Sequence, residues 1–151
     1  GQIYISGSSA GGHLALMMLL TDWSLYAEDV MLPADLVKGV CAVSGVYELE
    51  PIQYTYINQP LQLTAGQVDN NSPLRHRIKN ICPVVLAYGE NETAEFKRQS
   101  SEMLVHLSSQ GRQVSSGEVA GRNHFDVIMD MADASSWLFL QTAIQMGLEI
   151  N

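Results

Sequence analysis

The 151-residue chain carries eight basic and sixteen acidic residues, a net charge of −8, with 46% hydrophobic and 16% charged residues. That length and balance suit one globular domain with a core of its own. The acidic excess would repel phosphate backbones and anionic lipid, so neither nucleic acid nor a membrane is an expected partner. The longest apolar stretch, residues 14–20, is too short to span a bilayer, and no charged-then-apolar signal opens the chain. Cys41 and Cys82 lack Cys-x-x-Cys spacing and read as buried free thiols in a reducing compartment, which favours the cytoplasm. No His, Cys or Asp cluster has ligand spacing, so no metal or cofactor is expected. The one basic spot, Arg75-His76-Arg77 with Lys79, reads as a solvated surface.

The chain opens without Met, almost directly on a strand at residues 3–6, which reads as the middle of a domain. Gly7-Ser8-Ser9-Ala10-Gly11-Gly12 follows and leads into a predicted helix from residue 11 to about 21. A strand that ends in Gly-x-Ser-x-Gly and opens a helix sets its serine on a sharp turn, the hydroxyl clear of the sheet. Ser9 is therefore the candidate nucleophile. Gly7 and Gly11 are expected where a Cβ would clash with neighbouring backbone, and Gly12 where the helix packs closely. A phosphate-holding loop is the rival reading, but neither Gly-x-Gly-x-x-Gly nor Gly-Lys-Ser/Thr is present.

Residues 22–35, with Pro33 and scattered acids, read as a loop or short surface helix. Residues 37–44, centred on Val40-Cys41-Ala42-Val43, read as a strand buried on both faces and ended by Gly45. Residues 46–81 show no strand alternation and gather Tyr47, Tyr54 and Tyr56 with Pro51, Pro60 and Pro73. That is longer than a crossover needs, and it is expected to form a cap or substrate-covering insertion. Tyr47 and Tyr54 are the candidate substrate-binding residues there, with core filling as the alternative role.

Residues 83–89 read as a third buried strand, and residues 90–93 as a polar loop with Thr93 as the N-cap of the next helix. That helix places Phe96, Met103, Leu104 and Leu107 on one face and stops before Gly111. Residues 113–119 form a fourth, weaker strand, and Gly121-Arg122-Asn123-His124-Phe125 a loop. A last helix is expected from about residue 130 to 146, with Met131, Ala134 and Leu138 inward.

Four apolar runs with helical or irregular crossovers predict an α/β fold, a mainly parallel sheet flanked by helices. Sites in such sheets form beyond the carboxyl ends of the strands, where Ser9, the 90–93 loop and the His124 loop all fall. A serine hydroxyl needs a base, and the base needs a third group to orient it. His13 lies on the helix behind the turn and reads as structural, His106 lies on a solvated helix face, and His76 lies in the cap. His124, in the loop after the last strand, is the candidate base. Glu90, Glu92, Glu95 and Asp126 are near enough in sequence to supply the acid. Nucleophile, acid, histidine is the chain order of α/β-hydrolases.

The residues Gly7-Ser8-Ser9-Ala10-Gly11-Gly12-His13-Leu14-Ala15, Thr21-Asp22-Trp23 and residues 44–52 (Ser-Gly-Val-Tyr-Glu-Leu-Glu-Pro-Ile) resemble the kynurenine formamidase (arylformamidase) family. So do Ser72-Pro73-Leu74, Glu95-Phe96-Lys97-Arg98-Gln99-Ser100 and residues 121–125. That family is related to the hormone-sensitive lipase-like esterases, and the likeness covers almost the whole chain. The resemblance implies a partial α/β-hydrolase fold lacking its N-terminal strands, and a serine hydrolase acting on an aryl formamide or a carboxylic ester. It places the nucleophile on Ser9, the acid on Glu92 and the base on His124, with the Ala10 N–H as one oxyanion donor. The family acid is usually Asp, so Glu92 is a departure. The second oxyanion donor is expected from a His-Gly-Gly segment upstream of the elbow, outside this sequence. An uncovered edge on the first strand invites pairing, which makes a homodimer the expected partner state. The alternative reading is a truncated, hydrolase-derived homodimeric binding or structural module.

Overall fold

Two near-continuous apolar runs, residues 37–43 and 84–89, become the central strands of a four-stranded parallel sheet because each has residues to bury on both faces. A computed structural model describes residues 2–26 and 32–149. Residues 27–31, in the middle of the stretch expected as loop or surface helix, lie outside the described residues. The strands are β1 (Ile3–Ser8), β2 (Val37–Val43), β3 (Val84–Gly89) and β4 (Val114–Val119), hydrogen-bonded in the order β1-β2-β3-β4 and all parallel. The helices are α1 (Ala10–Leu20), α2 (Glu50–Gln53), α3 (Asn58–Leu61), α4 (Ala65–Asn71), α5 (Ala94–Ser109) and α6 (Trp137–Gln145).

Alternation along the strands divides the core in two. Val40, Ala42, Val84 and Leu86 face Ala15, Leu16 and Leu19 of α1 and Met103 and Leu107 of α5. Their neighbours Cys41, Val43, Val85 and Ala87 face the opposite layer, where Val127 and Leu138 cover them. Both cysteines are buried and free. No helix among the described residues is long and apolar enough to cross a membrane.

Three local expectations need correction. The final helix is not continuous: a 3₁₀ turn at Val127–Ala132 precedes α6, and the chain between them is held by capping. Asp133 Oδ1 accepts from the Ser135 N–H at 2.9 Å, and Ser136 Oγ accepts from the Phe139 N–H at 3.0 Å. Serine and aspartate at those positions compete with helix for the backbone, and they leave Ala134 exposed rather than inward. Thr93 occupies the N-cap of α5 but makes no side-chain cap hydrogen bond. His106 is half-buried, its Nε2–H donating to the His76 carbonyl at 2.7 Å, and is not a solvated side chain.

The basic spot is a solvated surface, with Arg75, Arg77 and Lys79 exposed. Arg75 pairs there with Glu48 at 2.9 Å, Glu50 at 2.6 Å and Asp69 at 3.4 Å. Through it the turn at Pro73–Arg75 is tied to α2 and α4, the short helices that make up much of residues 46–81. Ser72 adds a second tie, accepting from the Leu49 N–H at 2.9 Å and donating to the Val68 carbonyl at 2.7 Å. The α4 helix opens with a capping box, Thr64 to Gln67.

At the other side of the sheet β1 pairs with β2 alone among the described residues, and α1 behind it is apolar on nearly every face. Only part of that helix is covered, and Leu14 is 56% exposed. A helix apolar all round is ordinarily buried all round.

Burial pushes the Glu48 carboxyl up, but its hydrogen bonds, that from Arg75 foremost, hold it below its ordinary 4.5. A depressed folded value means the stabilisation is present above the unfolded value and lost as pH falls through the folded one. Arg75→Met should therefore lower the thermal midpoint at pH 7, and the gap to the unsubstituted protein should close as pH falls below about 4.5, as a melting series from pH 7 to pH 3 will read.

Candidate active site

The strand-to-helix turn at Ser9 is strained. Ser9 has φ 58° and ψ −119°, the left-handed side of the map that L-residues avoid. Its N–H donates to the Val43 carbonyl at 2.9 Å, and its carbonyl accepts from the His13 N–H at 3.1 Å. The turn is thereby stapled to β2 on one side and to the first turn of α1 on the other. A non-glycine residue in such a conformation costs about 1–3 kcal/mol and is held only where its surroundings impose it. Two glycines make the room. A Cβ at Gly7 would lie 2.3 Å from the Gly11 carbonyl oxygen, and one at Gly12 would lie 2.9 Å from Gly45 Cα. Gly11 itself needs no such room, since a Cβ there meets nothing within 4 Å, contrary to the expectation from the motif.

Strand ends now bring the candidates together. His124 Nε2 lies 3.0 Å from Ser9 Oγ, and His124 Nδ1 lies 3.1 Å from Glu92 Oε2. With Nδ1–H donating to the carboxylate, Nε2 carries the lone pair that faces the serine hydroxyl. The Glu92 side chain is fully buried and His124 is half-buried. Glu92 Oε1 accepts from the Gly89 N–H at 2.8 Å and from the Ser44 hydroxyl, which leaves Oε2 for the imidazole.

The other acids are engaged elsewhere. Glu90 accepts from the Gly121 N–H at 2.7 Å, Glu95 pairs with Arg98 at 2.6 Å, and Asp126 accepts from the Asn123 N–H at 2.6 Å. The Glu90 and Asp126 contacts shape the loop that presents His124, as does the Asn91 N–H donated to the Arg122 carbonyl at 2.8 Å. Phe96 of α5 stacks on the His124 ring with centroids 4.3 Å apart, and Phe125 meets its edge at 5.5 Å. Phe125 is 87% exposed. Beyond Phe96 lies an apolar cavity of about 170 Å³ whose walls include Val46, Pro51, Ile52 and Ile57. Ala10 is exposed at the start of α1, a helix end with no side-chain cap, so its first-turn amides are free to meet an anion. Among the described residues no three His, Cys, Asp or Glu side chains converge as a metal site would require.

No family model matches the chain. It is 37% identical over 149 residues to a kynurenine formamidase of Danio rerio, covering 95% of this chain and 49% of that one. It is 39% identical over 151 residues to a kynurenine formamidase of Salmo salar, covering 96% and 50%. Among solved structures, a thioesterase assigned as such in Silicibacter sp. TM1040 superposes with a TM-score of 0.73 at 24% identity, over 93% of this chain and 50% of that one. An esterase of Pyrobaculum calidifontis superposes with a TM-score of 0.64 at 16% identity, over 99% and 54%. The fold is a partial α/β-hydrolase fold. The chain spans about half the length of the kynurenine formamidases it matches.

Within this hydrolase fold the two tyrosines part company. Tyr47 is fully buried in the core beside Gly45, so no face of its ring is open to a ligand, and the expected substrate contact is corrected to a packing role. Burial also pushes its phenol well above the ordinary range. Tyr54 is exposed on an open depression with Glu48, Glu50 and Arg98. His13 donates to the Asn71 carbonyl at 2.7 Å and ties α1 to α4. Sequence reasoning did not single out Ser44 or the stack of Phe96 on His124. Ser44 is a polar residue ending an apolar strand one place before a glycine, and that pattern was the available signal.

The glycine pair offers a test of the turn. Gly12→Ala should destabilise the chain by about 1–3 kcal/mol, the usual cost of overpacking. Gly11→Ala should be neutral or stabilising by up to about 1 kcal/mol through helix propensity. Denaturant midpoints at unchanged slope measure both.

Proposed function

We propose that the chain provides the nucleophile, base and acid of a serine hydrolase that cleaves an aryl N-formyl amide. The observation that carries this reading is the unbroken run of contacts from Ser9 Oγ through His124 to the buried Glu92 carboxylate. Similarity to kynurenine formamidases supports the substrate class.

In the proposed reaction Ser9 Oγ attacks the formyl carbon while His124 Nε2 takes the hydroxyl proton. Glu92 stabilises the imidazolium that results. The Ala10 N–H stabilises the oxyanion of the tetrahedral intermediate. His124 then gives its proton to the amine nitrogen, the C–N bond breaks, and the aryl amine leaves. Water attacks the formyl-Ser9 ester with His124 as base, formate departs and the serine is restored. The aryl ring fits the apolar cavity behind Phe96 in chemical character. A second oxyanion donor is expected from an upstream segment of the kind the family carries, and lacking one donor costs about a hundred- to a thousandfold in rate.

Fluorophosphonate labelling at Ser9 tests the nucleophile. Ser9→Ala should abolish labelling, and His124→Ala should slow it about a thousandfold or more. N-formylkynurenine and an aryl ester, offered side by side to the same preparation, separate deformylation from general esterase activity. An inert Ser9 in a folded protein would favour the second reading, a homodimeric binding module. The open edge of β1 and the exposed apolar side of α1 are the observations that keep that reading in view. A sedimentation measurement of the oligomeric state then decides it.

A further inference from the structure

We propose that Ser44 is a fourth member of the site, a positioning residue whose hydroxyl holds Glu92 in the conformation that faces His124. The proposal rests on the reading of Ser9, His124 and Glu92 as a hydrolytic triad. Each of the four parallel strands then supplies one residue beyond its carboxyl end: Ser9 follows β1, Ser44 follows β2, Glu92 follows β3 and His124 follows β4.

Ser44 is fully buried, and its hydroxyl donates to Glu92 Oε1. Its φ is 47°, in the left-handed region where glycine is at ease and other residues are strained. The conformation is held by the Ser44 N–H, which donates to the Ala87 carbonyl of β3 at 2.7 Å. If the turn were the only requirement, glycine at position 44 would meet it with less strain. What serine adds is the hydroxyl, and the one acceptor it reaches is the acid of the proposed triad. An observed backbone outlier of this kind is a motive for a functional assignment.

Glutamate makes such a partner necessary. Its carboxylate stands at the end of one more rotatable bond than that of aspartate, so more rotamers compete with the one that meets the imidazole. The Gly89 N–H fixes Oε1 from one direction and the Ser44 hydroxyl from another, and the plane of the carboxylate is then set with Oε2 toward Nδ1.

Ser44→Gly and Ser44→Ala separate positioning from packing. Both remove the hydroxyl, but glycine relieves the left-handed turn and alanine does not, so Ser44→Gly should melt at the higher temperature. Both should nonetheless slow fluorophosphonate labelling of Ser9 to the same degree, about ten- to a hundredfold, the worth of one hydrogen bond to a charged group. In the proton spectrum the His124 Nδ1–H resonance bridged to Glu92 should be present in the unsubstituted protein. It should shift upfield or exchange away in both variants, as in Glu92→Gln. A labelling rate in Ser44→Gly equal to the unsubstituted rate overturns the proposal, and so does a rate that follows melting temperature across the two variants. If Ser9 does not label at all in the unsubstituted protein, the hydrolytic reading fails, and the resonance alone decides Ser44. Its absence from the unsubstituted protein, or its persistence unchanged in Ser44→Gly, overturns the assignment.

Discussion

A carboxylate taken wholly out of water is the constraint on which the site depends. The Glu92 side chain is fully buried, and an isolated ionised carboxylate in that position would be expensive. The structure meets the cost with three partners drawn from three strand ends: the Gly89 N–H, the Ser44 hydroxyl and the His124 imidazole. Removing any one leaves the others facing a less compensated charge, which is why buried polar groups of this kind specify geometry more than they add stability. The loops after β3 and β4 are locked together around it. Gly89 approaches the Arg122 carbonyl so closely that a Cβ would lie 2.4 Å from the oxygen, and the Glu90 N–H donates to the Val119 carbonyl at 2.9 Å.

The same parallel register explains why a few short motifs were enough to locate the candidate residues. Strands buried on both faces announce themselves as apolar runs, and parallel strands all end on one side, so residues just past those runs are neighbours in space whatever their separation in the chain. Ser9, His124 and an acid near the end of the third strand were legible on that ground, while Glu92 in particular came from the family resemblance. The partition among Glu90, Glu92, Glu95 and Asp126 was not legible, because each has a local hydrogen-bonding alternative that only the folded loops decide. Tyr47 was misjudged for a related reason. An aromatic residue in a proline-containing stretch suits a binding surface or a core equally well, and the close approach of Gly45 settles it toward the core. The break before α6 was hidden because Met131 and Leu138 fall at a helical spacing, although Asp133, Ser135 and Ser136 between them prefer caps to helix.

The uneven cover of the sheet has a physical reading as well. β2 and β3 are enclosed on both faces, while β1 is only partly buried and the helix behind it shows Leu14 to solvent. An apolar helix half-covered in this way and an edge strand with an open side are surfaces that ordinarily have neighbours. The relatives that match this chain are about twice its length, and the match accounts for half of each. The contacts of Ser9, Ser44, Glu92 and His124 with one another are nevertheless made inside the described residues, so the geometry of that cluster does not draw on the uncovered side.

The turn after β3 sets how the Glu92 carboxylate reaches the imidazole. The Glu92 N–H donates to the Gly89 carbonyl at 3.2 Å, folding the chain back over the end of the strand. Glu92 Oε1 then returns to the Gly89 N–H at 2.8 Å, so the side chain doubles back on its own turn before Oε2 meets the imidazole. The length of the glutamate side chain is taken up in that fold. The Gly89 amide and the hydroxyl of Ser44, a residue at φ 47° past the end of β2, thus meet at one carboxylate oxygen and leave the other to the imidazole.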